Sequence, residues 1–409
     1  MITTERKQNK VSAMHTARII IKRELKRMIR YKLILSIGLV LPMIAGLIIM
    51  FLFNTGIATD LPIAVLDKDR SSLSRQIVRA LDASPDLSVA YRVDDLYAAR
   101  QLLLSGKIYA IVMLPSNLER DSLLGRSPEI VSFYDNQFMT AGSVVSKGIN
   151  AVIGAVSADI NIELATKMGT PRSVAAASLS PIPLDQHILF NPSLNYQYSL
   201  LNGIWSALMQ IIICVIVTYV IAQERRSLRK KRVFSRLTDS RPFLGLAAKL
   251  FPYLVLFSTI LAVADMTFLI YLGLPFNGSI TLLLIGGLLF MAGYFLYGII
   301  FAYLFKSENA LSNASLLTAP AFGFTGVAFP RLAMGVFPQV FGAILPITWY
   351  IEIRADQTLR GADLSASLVP LSYLLLLDCV LLLIAFLVIK RKTWQENKFT
   401  EQPQKDLAL

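Results

Sequence analysis

Only two cysteines and two histidines occur among 409 residues. Cys214 and Cys379 both lie inside apolar runs, which excludes a disulfide framework and a thiolate cluster. His187 has no cysteine or carboxylate cluster at ligand spacing beside it, and a lone histidine is more often structural than a ligand. No Gly-rich loop followed by Lys-Ser/Thr occurs, so the chain cannot hold ATP by the P-loop device. There is no Gly-x-Ser-x-Gly and no His-Glu-x-x-His, which argues against an intramembrane hydrolase or metalloprotease. Charge is scarce as well. Only 16% of residues are Asp, Glu, Lys or Arg and 55% are hydrophobic, too apolar for a soluble globular protein.

What is present is a set of long apolar runs. Leu33 to Phe53 carries no charge and is long enough, at about 1.5 Å per residue, to cross a hydrocarbon core of about 30 Å. A signal peptide would have a shorter apolar core and a small-residue cleavage site, and Asn54-Thr55-Gly56 is a poor one. Further spans are expected at Leu200–Ala222, Leu250–Leu274, Ile280–Phe305, Ala310–Phe329 and Leu368–Ile389. Between the last two, Pro330, Pro338 and Pro346 interrupt an apolar stretch, which fits a re-entrant pair of half-helices over 330–360 better than a regular span. Trp349 and Tyr350 would mark the membrane interface there.

The net charge of +13 is unevenly placed. Residues 1–32, 223–249, 306–308 and 390–409 hold 25 basic and 8 acidic residues, whereas 54–198 holds 12 and 14. A basic excess confined to short loops is a topology signal rather than a nucleic-acid footprint. It puts both termini in the cytoplasm and residues 54–198 outside. Met14, Ala17, Ile21, Leu25 and Met28 recur at helical steps among cations, the pattern of an interfacial amphipathic helix, with a merely basic flank as the plainer reading.

Segment 54–198 alternates strand and helix. Strands are expected at Leu61–Leu66, Leu87–Tyr91, Ile108–Leu114 and Ile130–Tyr134, and helices at Leu73–Leu81 and Leu96–Leu104. Ser71, Ser72, Asp94 and Asp95 are candidate caps. Phe138–Lys167 reads as one long helix, and prolines 171, 181, 183 and 192 break the linker that follows. The fold class is therefore a polytopic α-helical membrane protein of six transmembrane helices, with an α/β extracytoplasmic domain inserted after helix 1.

Asp265 and Asp378 fall within predicted spans. An intramembrane carboxylate is costly and by default marks a functional path; the alternative is a structural role near the outer ends of the helices. No Lys, Arg or His lies within a predicted span to pair with them. The loop 223–249 holds nine basic residues against Glu224 and Asp239, with Leu228, Val233 and Phe234 among the cations. That mixture suggests a docking surface in which Val233 and Phe234 fill an apolar groove on a partner and Glu224 pairs with an Arg or caps the next helix. A solvated basic loop is the bland alternative.

Two stretches give the layout a likeness. Glu24 to Pro42 (ELKRMIRYKLILSIGLVLP) places Glu and Arg before the first span and a proline within it. Phe329 to Gly361 (FPRLAMGVFPQVFGAILPITWYIEIRADQTLRG) carries Phe-Pro, a second proline, Leu-Pro-x-Thr and a closing Arg-Gly. Together with the six-span plan, these resemble the membrane subunit of ABC-2 type ABC transporters, in the branch with a large domain between spans one and two. The family's acidic-Gly-Thr signature after span two is replaced here by Glu224 and Arg-rich sequence, while Lys249 stands where a Gly-Lys often precedes span three. The resemblance implies a permease in the bacterial inner membrane that is no enzyme itself. Its partners would be an ATP-binding cassette ATPase carrying ATP and Mg, a second permease subunit in a homodimer or heterodimer, the lipid membrane and, as a further candidate, a periplasmic adaptor. The implied activity is export of a hydrophobic or amphipathic substrate. A passive extracytoplasmic assembly factor and an ATPase-driven signalling complex are the rival readings.

Overall fold

A computed structural model describes residues 13–53, 58–137, 139–178, 189–191, 195, 197–226, 242–306 and 309–405. The chain forms two compact units, one of Met1–Asn54 with Tyr196–Leu409 and one of Thr55–Asn195.

Helix α1 (Ala13–Arg30) follows the expected amphipathic segment, although the stripe it buries is Ile20, Glu24 and Arg27, while Met14, Leu25 and Ile29 stay exposed. The buried stripe is thus mixed, with Glu24 and Arg27 turned into the protein, while Arg18, Lys22, Lys26 and Arg30 stay exposed beside Met14, Leu25 and Ile29. Helix α2 (Lys32–Leu52) is the first span; its ladder widens to a π-turn at Ser36–Val40 just ahead of Pro42, which has no N–H to donate.

The inserted unit is a four-stranded sheet in the order β2-β1-β3-β4, built from β1 (Leu61–Asp67), β2 (Leu87–Arg92), β3 (Ala110–Leu114) and β4 (Val131–Tyr134). The first three are parallel and β4 is antiparallel. Helix α3 (Ser72–Asp82) follows β1 and α4 (Leu96–Leu104) follows β2. Ser71 and Asp95 cap them by accepting the N–H of Ser74 and Ala98. The short α5 (Leu118–Leu123) precedes β4, and α6 (Met139–Lys167) and α7 (Arg172–Ser178) complete the unit. Helices cover both faces of β1, which explains its nearly continuous apolar run. Ile63 and Val65 pack with Ile77, Leu81 and Val145, and Ala64 packs with Ala99 and Ile111.

The membrane unit continues with α8 (Asn202–Arg226), α9 (Pro242–Tyr271) and α10 (Ile280–Leu304). Then come α11 (Ala310–Thr318), α12 (Val336–Ala343), α13 (Pro346–Ala355) and α14 (Leu364–Lys405). Helices α8 and α10 are its centre, with 72% and 61% of their most apolar windows buried against 22% to 28% for α2, α9 and α14. They approach closely because Gly298 has no side chain, where a Cβ would stand 2.7 Å from Val217. The outward faces of the peripheral helices expose Leu47, Ile48, Phe51, Leu376 and Leu383, a surface that water would not tolerate at this extent and that acyl chains match.

Two expectations about the spans need revision. Among the described residues six helices are long and apolar enough to cross a membrane, but one of these, Thr140–Lys167, belongs to the inserted unit. The expected span Ala310–Phe329 is not one helix. It is α11 followed by a 3₁₀ turn at Pro320–Phe324, because Pro320 cannot continue the α-helical ladder. The proline-broken stretch does form two half-helices, α12 and a segment Pro346–Arg360, which meet at 85°.

Candidate functional site

Three constellations stand out in the membrane unit, two polar and one apolar, and the first lies where α1, α8 and α9 meet. Lys249 Nζ donates to Glu24 Oε1 and to Glu224 Oε2, both at 2.9 Å. Arg27 Nη1 donates to the same Glu224 oxygen at 2.9 Å and its other arm reaches Gln223. Arg23 spans both carboxylates, at 2.9 Å from Glu24 and 3.1 Å from Glu224. Glu24, Arg27, Glu224 and Lys249 are all buried. Three cations therefore share two carboxylates in a nearly dry site, and their contacts join α1 to α8, α1 to α9 and α8 to α9. Buried ion networks contribute little net stability, but they fix one geometry, because removing either carboxylate strands the cations it bridges.

This arrangement sorts the loop residues predicted from sequence. Glu224 does pair with arginine, through Arg23 and Arg27, and with Lys249 as well. Lys249 lies within helix α9, which begins at Pro242. Leu228, Val233 and Phe234 lie outside the described residues. Arg23 and Arg27 had been visible only as part of a basic flank. Their signal is helical spacing from Ile20, with Arg23 three and Arg27 seven residues further on.

The second constellation centres on Arg354 in α13. Its Nη2 donates to Asp265 Oδ1 at 2.8 Å and its Nη1 to Oδ2 at 3.0 Å, a bidentate pair with α9. The same arms donate to Asn202 Oδ1 on α8 at 2.9 Å and to the Tyr350 hydroxyl at 3.0 Å. Asn202 in turn donates to Thr358 at 3.1 Å. The expectation that Asp265 has no basic partner is thus overturned. Arg354 belongs to the half-helix pair, outside any predicted span, and that hairpin folds back against α8 and α9.

Asp378 behaves differently. It is buried in α14, and neither carboxylate oxygen has a hydrogen-bond partner among the described residues. It abuts Gly293 of α10 and Pro346 at the start of α13, and a Cβ on Gly293 would stand 2.7 Å from Asp378 Oδ1 and 2.6 Å from Pro346. Asp265 and Asp378 are therefore not brought together as one site.

The third constellation is an apolar groove of about 330 Å³ between α2, α8 and α9. Its wall includes Pro42, Gly46, Met50, Trp205, Val263 and Phe268. Thr259 and Thr267 also line it, but their hydroxyls donate to Val255 and Val263 of their own helix, so they present little free polarity. Trp205 stands edge-on to Phe268 with centroids 5.6 Å apart and closes the floor. The groove can hold an apolar body of small drug size without demanding hydrogen bonds. Among the described residues no group of His, Cys, Asp and Glu is placed to hold a metal ion.

Comparisons agree with this architecture. Residues 32–387 match the family described as ABC-2 family transporter protein. The "Probable multidrug ABC transporter permease YbhS" of Escherichia coli K12 is 21% identical over 361 residues, covering 86% of this chain and 91% of that protein. The "Inner membrane transport permease YhhJ" of the same strain is 24% identical over 310 residues, covering 74% and 77%.

Proposed function

Since this chain belongs to the ABC-2 transporter family as a membrane permease subunit, we propose that it is the permease half of an ATP-driven exporter whose ATPase acts through the Glu24–Glu224–Lys249 network. The observation that carries this is the placement of those residues. Glu224 lies near the end of α8, Lys249 lies near the start of α9, and the basic segment 227–241 joins the two in sequence. A force on that segment acts on the second and third spans together, and Glu24 passes it to α1. The family plan supplies the ATPase with its ATP and Mg as a separate subunit, and a second permease subunit beside this one. The basic excess supports a cytoplasmic side for α1, segment 227–241 and the tail, and an outer side for residues 54–198.

The groove supports a hydrophobic or amphipathic substrate. It is lined by the helix that exposes most of its surface, α2, so a lipid-dissolved molecule has a short lateral way in. The word "multidrug" in the name of the YbhS relative agrees with such a wall.

The test is reconstitution of the chain, with the ATPase that co-purifies with it, into proteoliposomes loaded with a fluorescent amphipathic dye. ATP should drive dye movement, and Glu224→Gln should keep the ATPase bound while cutting transport about tenfold, the size of a typical coupling free energy. Hydrolysis without movement of any amphipathic probe would favour the signalling complex, and a chain that purifies without an ATPase would favour the passive factor.

A further inference from the structure

The inserted α/β unit is acidic as a whole, with 12 basic and 14 acidic residues over 54–198, yet four of those twelve cations line one cavity. Arg70, Arg75, Arg79 and Arg92, with Asp67 and Asp94, surround a space of about 450 Å³. Asp67 ends β1 and Arg92 ends β2, two adjacent parallel strands. The cavity thus opens at their carboxyl ends, where α/β sheets place ligands.

The two carboxylates do not neutralise the four guanidinium groups. Asp67 is committed to its own turn, accepting from the N–H of Asp69 at 3.0 Å and Arg70 at 2.9 Å and from the Ser74 hydroxyl at 2.7 Å. Among the described residues Asp94 pairs with Arg70 alone, at 2.9 Å. Arg75 spends one arm on the Arg70 carbonyl, at 2.8 Å. Among the described residues Arg79 and Arg92 have no partner for their guanidinium groups. Arg70 itself is held at φ 54°, a region that non-glycine residues occupy at a cost and that clusters at ligand sites.

We propose that this cavity is a binding site for a phosphate-bearing ligand, held by Arg79 and Arg92 with Arg75 and Arg70 at its rim. Planar guanidinium forks match the paired oxygens of a phosphoryl group and make charge-assisted hydrogen bonds to it. The volume exceeds that of a bare phosphate, so the ligand carries more than the anion itself. A free phosphorylated solute and the phosphodiester headgroup of a lipid share that chemistry. The site is separate from the groove in the membrane unit, and it stands whether or not the exporter reading does.

The experiment uses the full chain in phosphatidylcholine nanodiscs, titrated by calorimetry with inorganic pyrophosphate and, separately, with glycerophosphoglycerol, the water-soluble headgroup of an anionic lipid. Saturable binding of either supports the site, and the tighter probe identifies the source. Arg79→Ala with Arg92→Ala should weaken binding by about ten- to a hundredfold, the loss expected for charge-assisted hydrogen bonds. Arg100→Ala, an exposed change outside the cavity, should leave it unchanged. Hydrogen exchange of residues 61–114, unchanged in all variants, excludes misfolding of the inserted unit. The proposal is overturned if neither probe binds saturably, if the double variant binds as wild type does, or if Arg100→Ala weakens binding equally.

Discussion

Arg354 and Asp265 meet through two parallel contacts of 2.8 and 3.0 Å, joining α13 to α9 across 89 residues of sequence. Arg354 is only 2% exposed, so losing the carboxylate would leave a cation in an apolar interior. Breaking such a pair by removing one member costs about 3–5 kcal/mol, whereas removing both together is often close to neutral. Asp265→Asn and Arg354→Gln should therefore each lower the thermal unfolding temperature of the detergent-solubilised chain sharply. The double variant should recover most of the loss, since Asn and Gln still offer hydrogen bonds to Tyr350 and Asn202. Additive losses in the double variant would mean that the two residues act independently.

How much of this was legible follows from what each signal depends on. The inserted unit was readable nearly strand by strand, because period-2 and period-3.6 patterns and the caps at Ser71 and Asp95 are local in sequence. The peripheral spans were readable because a lipid-facing helix is apolar by itself. What escaped depends on long-range pairing. Arg354 stands in a proline-broken segment outside every predicted span, and the half-helices that meet at 85° are what bring it to Asp265. Lys249 looked like a loop residue because its charge argued against a helix interior, and Glu24 and Glu224 supply the compensation that the local sequence cannot show. The span over Ala310–Phe329 was overcalled for the opposite reason. It carries no charged residue, and hydropathy does not register the break that Pro320 imposes.

Acid should loosen the inserted unit at the β1–α3 turn. Partial burial pushes the Asp69 carboxyl up, but the Ser71 hydroxyl and backbone N–H groups of Glu119, Asn117 and Leu118 more than offset this and hold it below the ordinary 3.8. A carboxyl lowered by folding stabilises the folded state above its unfolded-state value, and that contribution is lost as pH falls through the folded one. Hydrogen exchange of residues 67–74 and 117–121 in the full chain should accelerate below pH 3.8 beyond the intrinsic rate, and Asp69→Asn should remove that part of the acid response. An identical acid response in Asp69→Asn would assign the loosening to other carboxylates.

The tightest glycine contact yields the last prediction. A Cβ on Gly278 would stand 2.3 Å from Gln357 Oε1 and 2.8 Å from both the Cα and the carbonyl oxygen of Gln357. The side-chain amide alone could swing aside, but backbone atoms cannot, and Gln357 is fixed at both ends. Its Oε1 accepts from the N–H of Ser279 at 2.6 Å and its Nε2 donates to Ser367 at 2.7 Å. Ser367 and Arg360 both bond to Asp356 as well, at 3.3 and 2.8 Å. One methyl group on Gly278 must therefore displace the junction that holds the end of α13's turn to α10 and α14. Overpacking of this kind costs about 1–3 kcal/mol. Gly278→Ala should lower the unfolding temperature, while Gly323→Ala, where a Cβ meets nothing within 4 Å, should change it little. Equal melting temperatures for wild type and Gly278→Ala would show that the loop at Asn277–Ser279 can move away from Gln357 at no cost.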